Sequence, residues 1–297
     1  MDHSRDSKLQ VNFPPDPNPR KPCFVVPPGS WDTHFHVYAP HLFPFAEKRR
    51  AIPPAAPVEH YLKISSAIGL QRGVIVQPSM HGNSTDVVLD AVAKSEGRLR
   101  GMIIAVPTLS AHQVKALHAG GVRGVRFTAR RGHGNRFDPD LFHRTAELVK
   151  PYRLILDLQI DDDTIIEIAD MIRDVPLPVI IDTFGYIDAR KGMDQPALRT
   201  LLDLLGSRDV YVKIHGANRF LAWGVPYGQI VELGRTLIGR APSQILWGTD
   251  WPHPRVFEPN RMPNDGDLIN MLLDFAHDET VRNKILVDNP ARLFDFD

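Results

Sequence analysis

Eight short apolar runs, separated by stretches of helical periodicity, limit the folds open to this chain. They read WDTHFHVY (31–38), GVIVQ (73–77), RGMIIAV (100–106), GVRGVRF (121–127), RLILDLQ (153–159), PVIIDTF (178–184), DVYVKIHG (209–216) and QILWGTD (244–250). Mostly β-branched or aliphatic, they have the composition of strands buried on both faces of a parallel sheet. Between them, 86–96, 161–173, 198–205 and 227–238 carry apolar residues at helical spacing. Strands alternating with helices over about 250 residues predict a (β/α)₈ TIM barrel. The competing fold, an open doubly wound sheet, is normally announced by a glycine-rich turn, and no G-x-G-x-x-G follows the first run. Residues 1–30 are different: Pro14, Pro15, Pro17, Pro19, Pro22, Pro27 and Pro28 suit neither a helix nor a central strand. The expected organisation is an extended arm over 1–30, lying on the surface or on a neighbouring subunit, and a barrel over 31–297.

Charge and cysteine content exclude several classes of function. Lys plus Arg and Asp plus Glu both number 35, so no global field recruits nucleic acid or an anionic membrane. Cys23 is the single cysteine, which rules out an intramolecular disulfide and a thiolate metal cluster. No apolar run reaches the roughly 18 residues of a membrane span, and the first 22 residues hold no apolar signal core. A cytoplasmic location is expected, and a homo-oligomer is left open.

Within a barrel, side chains at i and i+2 of a strand share a face, so His34 and His36 are expected to point together into its mouth. The alternative is a pair of core histidines bonded to nearby backbone. Active sites of this fold gather at the C-terminal ends of the strands, where the sequence offers Gln77, Ser79, His81, Arg126, Asp157, Thr183, His215, Arg219 and Asp250. The other reading of Asp250 is a turn or helix cap before W-P-H-P.

WDTHFHVY, IVQPSMHG, GVRGVRF, VIIDTFG and WGTDWPHP, in that order, resemble the amidohydrolase superfamily. Within it they are most similar to the 2-pyrone-4,6-dicarboxylate hydrolase branch, from about residue 24 to VDNPARLF. The resemblance implies a distorted (β/α)₈ barrel that opens a cyclic ester without metal. Asp250 would activate water, and His34 and His36 would donate hydrogen bonds to the carbonyl oxygen as it becomes an oxyanion. Ser79, Arg126 and Arg219 match substrate-binding positions of that branch, and Arg130 or Arg131 falls near another. Arg255 and His215 are further candidates at the same mouth. Several guanidinium forks around one cavity suit a substrate with more than one carboxylate, so the expected partner is a small anionic cyclic ester.

Two residues depart from the branch. IDTFG (181–185) replaces its usual IDHMG, putting Thr183 where a histidine is expected, and Asp157 stands in place of a tyrosine. Both are read as facing the substrate, which makes a related lactone or a lactone isomerisation compatible with the same residues. No cofactor is expected, since imidazoles are lacking on the fifth and sixth strands. The alternative is one divalent metal such as zinc on His34, His36 and Asp250, with His215 compensating, as in a metal-dependent decarboxylase. A non-catalytic dicarboxylate binder is the third reading.

Overall fold

The computed structural model describes residues 9–47, 49, 51–131, 135–207 and 209–294. All eight apolar runs form strands: β1 (Trp31–Phe35), β2 (Arg72–Val76), β3 (Leu99–Ile104), β4 (Val122–Ala129), β5 (Ile155–Ile160), β6 (Val179–Ile181), β7 (Val210–Lys213) and β8 (Ile245–Leu246). They stand in chain order in one parallel eight-stranded sheet, with helices between them. The sheet closes through backbone bonds from Thr33 N to Trp247 O (2.9 Å), Asp250 N to His34 O (2.8 Å) and His36 N to Trp251 O (2.7 Å). Regular pairing of the eighth run stops at Leu246 because the chain beyond it turns to meet β1. Gly248 permits the approach: a Cβ there would come within 2.7 Å of His34 N and Cβ.

The expected helix over 161–173 is two helices, Asp162–Glu167 and Ala169–Asp174, separated at Ile168 (φ −114°). Described residues of the arm lie along their own barrel. Asn12 N bonds Ile52 O, Phe13 N bonds Val256 O (both 2.9 Å), and Cys23 N bonds the Asn270 side chain (2.7 Å). Residues 1–8 fall outside the described part. Among the described residues no helix is long and apolar enough to cross a membrane.

The barrel interior is layered by the two-residue period of its strands. Its floor is apolar, built from Trp31, Val74, Met102, Ile155, Ile180, Tyr211 and Leu246, and Phe294 of the terminal helix stacks on Trp31 at 5.9 Å. One step up, the inward positions turn ionic: Arg126, Asp157, Asp182 and Lys213, all buried. Above these lie His34, His36, His215 and Asp250, lining a cavity at the C-terminal ends of the strands.

Asp32 staples the closure. Its Oδ1 accepts from His34 N and Thr249 N (both 3.0 Å), and its Oδ2 accepts from Thr249 Oγ1 (2.6 Å) and Tyr61 OH (3.2 Å). Burial pushes its carboxyl up to about 6, only partly offset by those donors. Between pH about 4, where an unfolded Asp ionises, and this value the folded chain holds the extra proton, so stability contributed by Asp32 falls as pH rises. The stability difference between wild type and Asp32→Asn should shrink by about 3 kcal/mol across that window. Urea unfolding at several pH values measures it, and a difference that stays flat or grows contradicts the assignment.

Candidate active site

His34 sits on β1 and His36 just past its end, held by the backbone bonds that close the barrel. Asp250 has φ +62°, a left-handed conformation uncommon for a non-glycine residue. It caps no helix. Its Oδ2 accepts from Arg219, with Nε at 2.6 Å, while Oδ1 has no hydrogen-bond partner among the described residues. That oxygen lies 3.5 Å from His36 Nε2 and 3.8 Å from His34 Nε2. The carboxylate and paired imidazoles therefore face one another across a gap at the bottom of a cavity of about 380 Å³.

Each imidazole is anchored through one nitrogen and turned towards the gap. His36 Nδ1 donates to Val76 O (2.8 Å), which leaves Nε2 facing Asp250. His215 Nε2 lies 2.6 Å from Asp182 Oδ1 and 3.0 Å from Thr183 Oγ1, leaving Nδ1 without a partner. His34 stacks on His215 at 4.0 Å, its Nδ1 3.4 Å from the same Asp182 oxygen. Burial, and then the neighbouring His215, push His34 well below its usual imidazole range. Burial pushes the Asp250 carboxyl up, but the Arg219 guanidinium and the imidazoles outweigh it and hold that carboxyl well below the carboxylate range.

The remaining candidates divide. Ser79, Thr183, Arg219 and Arg255 line the cavity as expected. Arg126 lines it too, but its guanidinium is already engaged, donating to Asp182 Oδ2 with Nε 3.7 Å from Asp157. Two expectations need correction. Asp157 does not line the cavity: it lies one inward step below Gln159 on β5, 0% exposed, with Oδ2 2.5 Å from Lys213 Nζ. A ligand's charge never meets it, because Lys213 neutralises it beneath the floor of the site. Arg131 points away, half exposed, and pairs with Glu167 and Asp163 on the surface. Residues 132–134 of the glycine-rich loop lie outside the described part, while Asn135 and Arg136 beyond them line the cavity.

Asp182 and Lys213 carry no motif signal in the sequence, although both stand in the apolar strand runs. Parity finds them: Lys213 is two residues before His215, and Asp182 two after the inward Ile180.

The site also suits a divalent cation, through a trio different from the expected one. His34, His215 and Asp250 offer atoms within 4.8 Å of one another. Carboxylate support behind a ligand imidazole, as Asp182 gives here, is the usual second layer of such a site. Zinc at about 2.1 Å needs its ligand atoms roughly 3.3 Å apart, so the side chains would have to draw inward.

The amidohydrolase family profile matches residues 31–296. The chain belongs to the amidohydrolase family. Among relatives of this amidohydrolase, 4-sulfomuconolactone hydrolase of Hydrogenophaga intermedia is 43% identical over 273 residues, 91% of this chain and 90% of that protein. 2-Pyrone-4,6-dicarboxylate hydrolase of Comamonas testosteroni is 30% identical, covering 93% of each. A ligand-free crystal structure from Agrobacterium tumefaciens superposes with a TM-score of 0.81 at 25% identity, over 93% of this chain and 99% of that one.

With Arg219 removed, the largest influence holding the Asp250 carboxyl down is lost and that carboxyl would rise. Any activity that needs the carboxylate should then show an acid limb at higher pH in Arg219→Gln than in wild type. An unmoved limb would show that Arg219 does not set the charge of Asp250.

Proposed function

We propose that this amidohydrolase hydrolyses the ester bond of a small anionic lactone. The observation that carries the reading is the unpaired Asp250 Oδ1, facing His34 and His36 across a gap of hydrogen-bonding size within an arginine-lined cavity. The names of both relatives, a sulfomuconolactone hydrolase and a pyrone dicarboxylate hydrolase, support a cyclic ester carrying acidic groups. At 43% against 30% identity, a muconolactone-type ring is favoured over a pyrone.

A water in the cavity against Asp250 Oδ1 gives that oxygen a proton as its own oxygen attacks the ester carbonyl. The carbonyl oxygen gains charge and accepts hydrogen bonds from the guanidinium groups lining the cavity. The tetrahedral carbon collapses, the ring C–O bond breaks, and the leaving oxygen takes up the proton. A carboxylate held so low by Arg219 is a weak base. An acidic group of the substrate drawing on Arg219 would loosen that hold and raise the basicity of Asp250 when the site is filled.

Convergence of His34, His215 and Asp250 favours a second version of the same reaction, in which those three residues hold a divalent cation. Such a cation polarises the carbonyl and lowers the pKa of bound water. The metal-free version predicts activity unchanged by exhaustive chelation, and loss on EDTA with recovery on zinc selects the second.

Asp250→Asn keeps the shape of the site and removes the proton acceptor, so kcat on a muconolactone bearing a carboxylate or sulfonate should fall about 10²- to 10⁴-fold with little change in KM. Wild type that binds such lactones but never opens them, matched by the variant, would make the chain a binder.

A further inference from the structure

Lys213 and Asp157 form an ion pair that touches no solvent and lies outside the cavity of the candidate site. Both are 0% exposed, with Nζ 2.5 Å from Oδ2. Burying two charges costs several kcal/mol per ion even after pairing, and well-packed apolar side chains commonly serve stability as well or better. The pair is not isolated, however. Asp157 Oδ1 faces Arg126 Nε at 3.7 Å, Arg126 donates to Asp182 Oδ2, and Asp182 Oδ1 reaches His215 Nε2 at 2.6 Å and His34 Nδ1 at 3.4 Å. Charges alternate in sign from Lys213 up to the two imidazoles beside Asp250. Backbone register supports the order, since Arg126 and Asp157 are direct partners across β4 and β5.

We propose that Lys213 and Asp157 are positioning residues for the hydrolysis: their buried pair holds Arg126 between two carboxylates, and Arg126 holds Asp182 against His215 and His34. Arg126 donates through NH2 to Asp182, while the Asp157 carboxylate stands 3.7 Å from its Nε as a counter-charge without a hydrogen bond. A guanidinium held between two carboxylates is drawn to a place set by both, whereas one with a single carboxylate can swing with it. If Lys213 were absent, Asp157 would compete with Asp182 for the guanidinium. If Asp157 were absent, the Lys213 ammonium would lack a counter-charge and Arg126 would be held by Asp182 alone. In either case Asp182 loses its fixed place, and with it go the ring orientations of His34 and His215. The proposal rests on the lactonase reading only for its kinetic consequence.

The test compares wild type, Lys213→Met, Asp157→Leu, the double variant Lys213→Met/Asp157→Leu, and the charge-conserving Lys213→Arg. Each single variant strands a buried charge and should unfold at lower denaturant. The double variant removes both charges and should recover the wild-type unfolding midpoint. On a lactone that wild type opens, its kcat should nonetheless stay about 10- to 100-fold low, with KM within about twofold, as expected when reacting groups are displaced by about an ångström. Lys213→Arg should keep kcat within a few-fold of wild type. A second readout needs no turnover: ¹⁵N spectra of selectively labelled histidines should show the ring signals of His34 and His215, assigned by His34→Gln and His215→Gln, altered in the double variant and not in Lys213→Arg.

A double variant that regains both stability and kcat, with unchanged histidine spectra, overturns the proposal, because the pair then only fills space. A double variant that never regains the midpoint overturns it as well, by making the pair a stability element. If wild type opens no lactone, the functional reading fails while the spectra still decide the positioning role.

Discussion

The joint between the first strand and the chain after the last one governs the rest of the molecule. Asp32, fully buried, accepts four hydrogen bonds, two of them from Thr249 across the joint, and Gly248 lets the two backbones meet. The joint closes the barrel, and the same backbone bonds carry His34, His36 and Asp250. Closure and chemistry therefore depend on one set of contacts. A barrel that failed to close there would lose its gap between carboxylate and imidazoles before it lost its helices. Beyond Asp250, His253 of the WPHP segment is buried with its Nε2 3.2 Å from Asp265 Oδ1, also buried.

Below the joint, an unusual amount of charge is kept from water. Arg126, Lys213, Asp157 and Asp182 balance one another, and Arg219 balances Asp250. Neutrality at the base of the site leaves substrate charge to be met higher up, where Arg49, Arg136 and Arg255 stand on the cavity wall. It also makes the imidazoles dependent on Asp182, which serves two of them through a single oxygen. In a low-dielectric interior each of these groups tunes its neighbours, and removing one leaves another uncompensated.

Much of the fold was legible because its signals are local. Apolar runs, helical spacing and proline density each depend on residues close in sequence, and all eight runs became strands. The i, i+2 spacing of His34 and His36 was enough to put both at the cavity. Misjudgements arose where depth along a strand mattered. As a strand-end residue standing where the resembling branch has a tyrosine, Asp157 is expected to face a ligand, whereas β5 runs on to Ile160 and Gln159 occupies the mouth. Arg131 was read into the site although its loop directs it to Glu167. Lys213 and Asp182 were passed over because a lysine inside a strand and an aspartate beside a conspicuous threonine gave no sign of partners 56 and 33 residues away.

By itself the sequence determined the eight-fold alternation, the proline-rich arm, the even charge balance and the set of polar residues at strand ends. These follow from period and composition, which every short window of the chain expresses. Tertiary structure alone decided which oxygen of Asp250 is free, which nitrogen of each histidine faces it, and that Lys213 neutralises Asp157. Those outcomes depend on barrel closure and on how far each strand is raised relative to the next. Such relations join residues tens to hundreds of positions apart, and no local pattern encodes them.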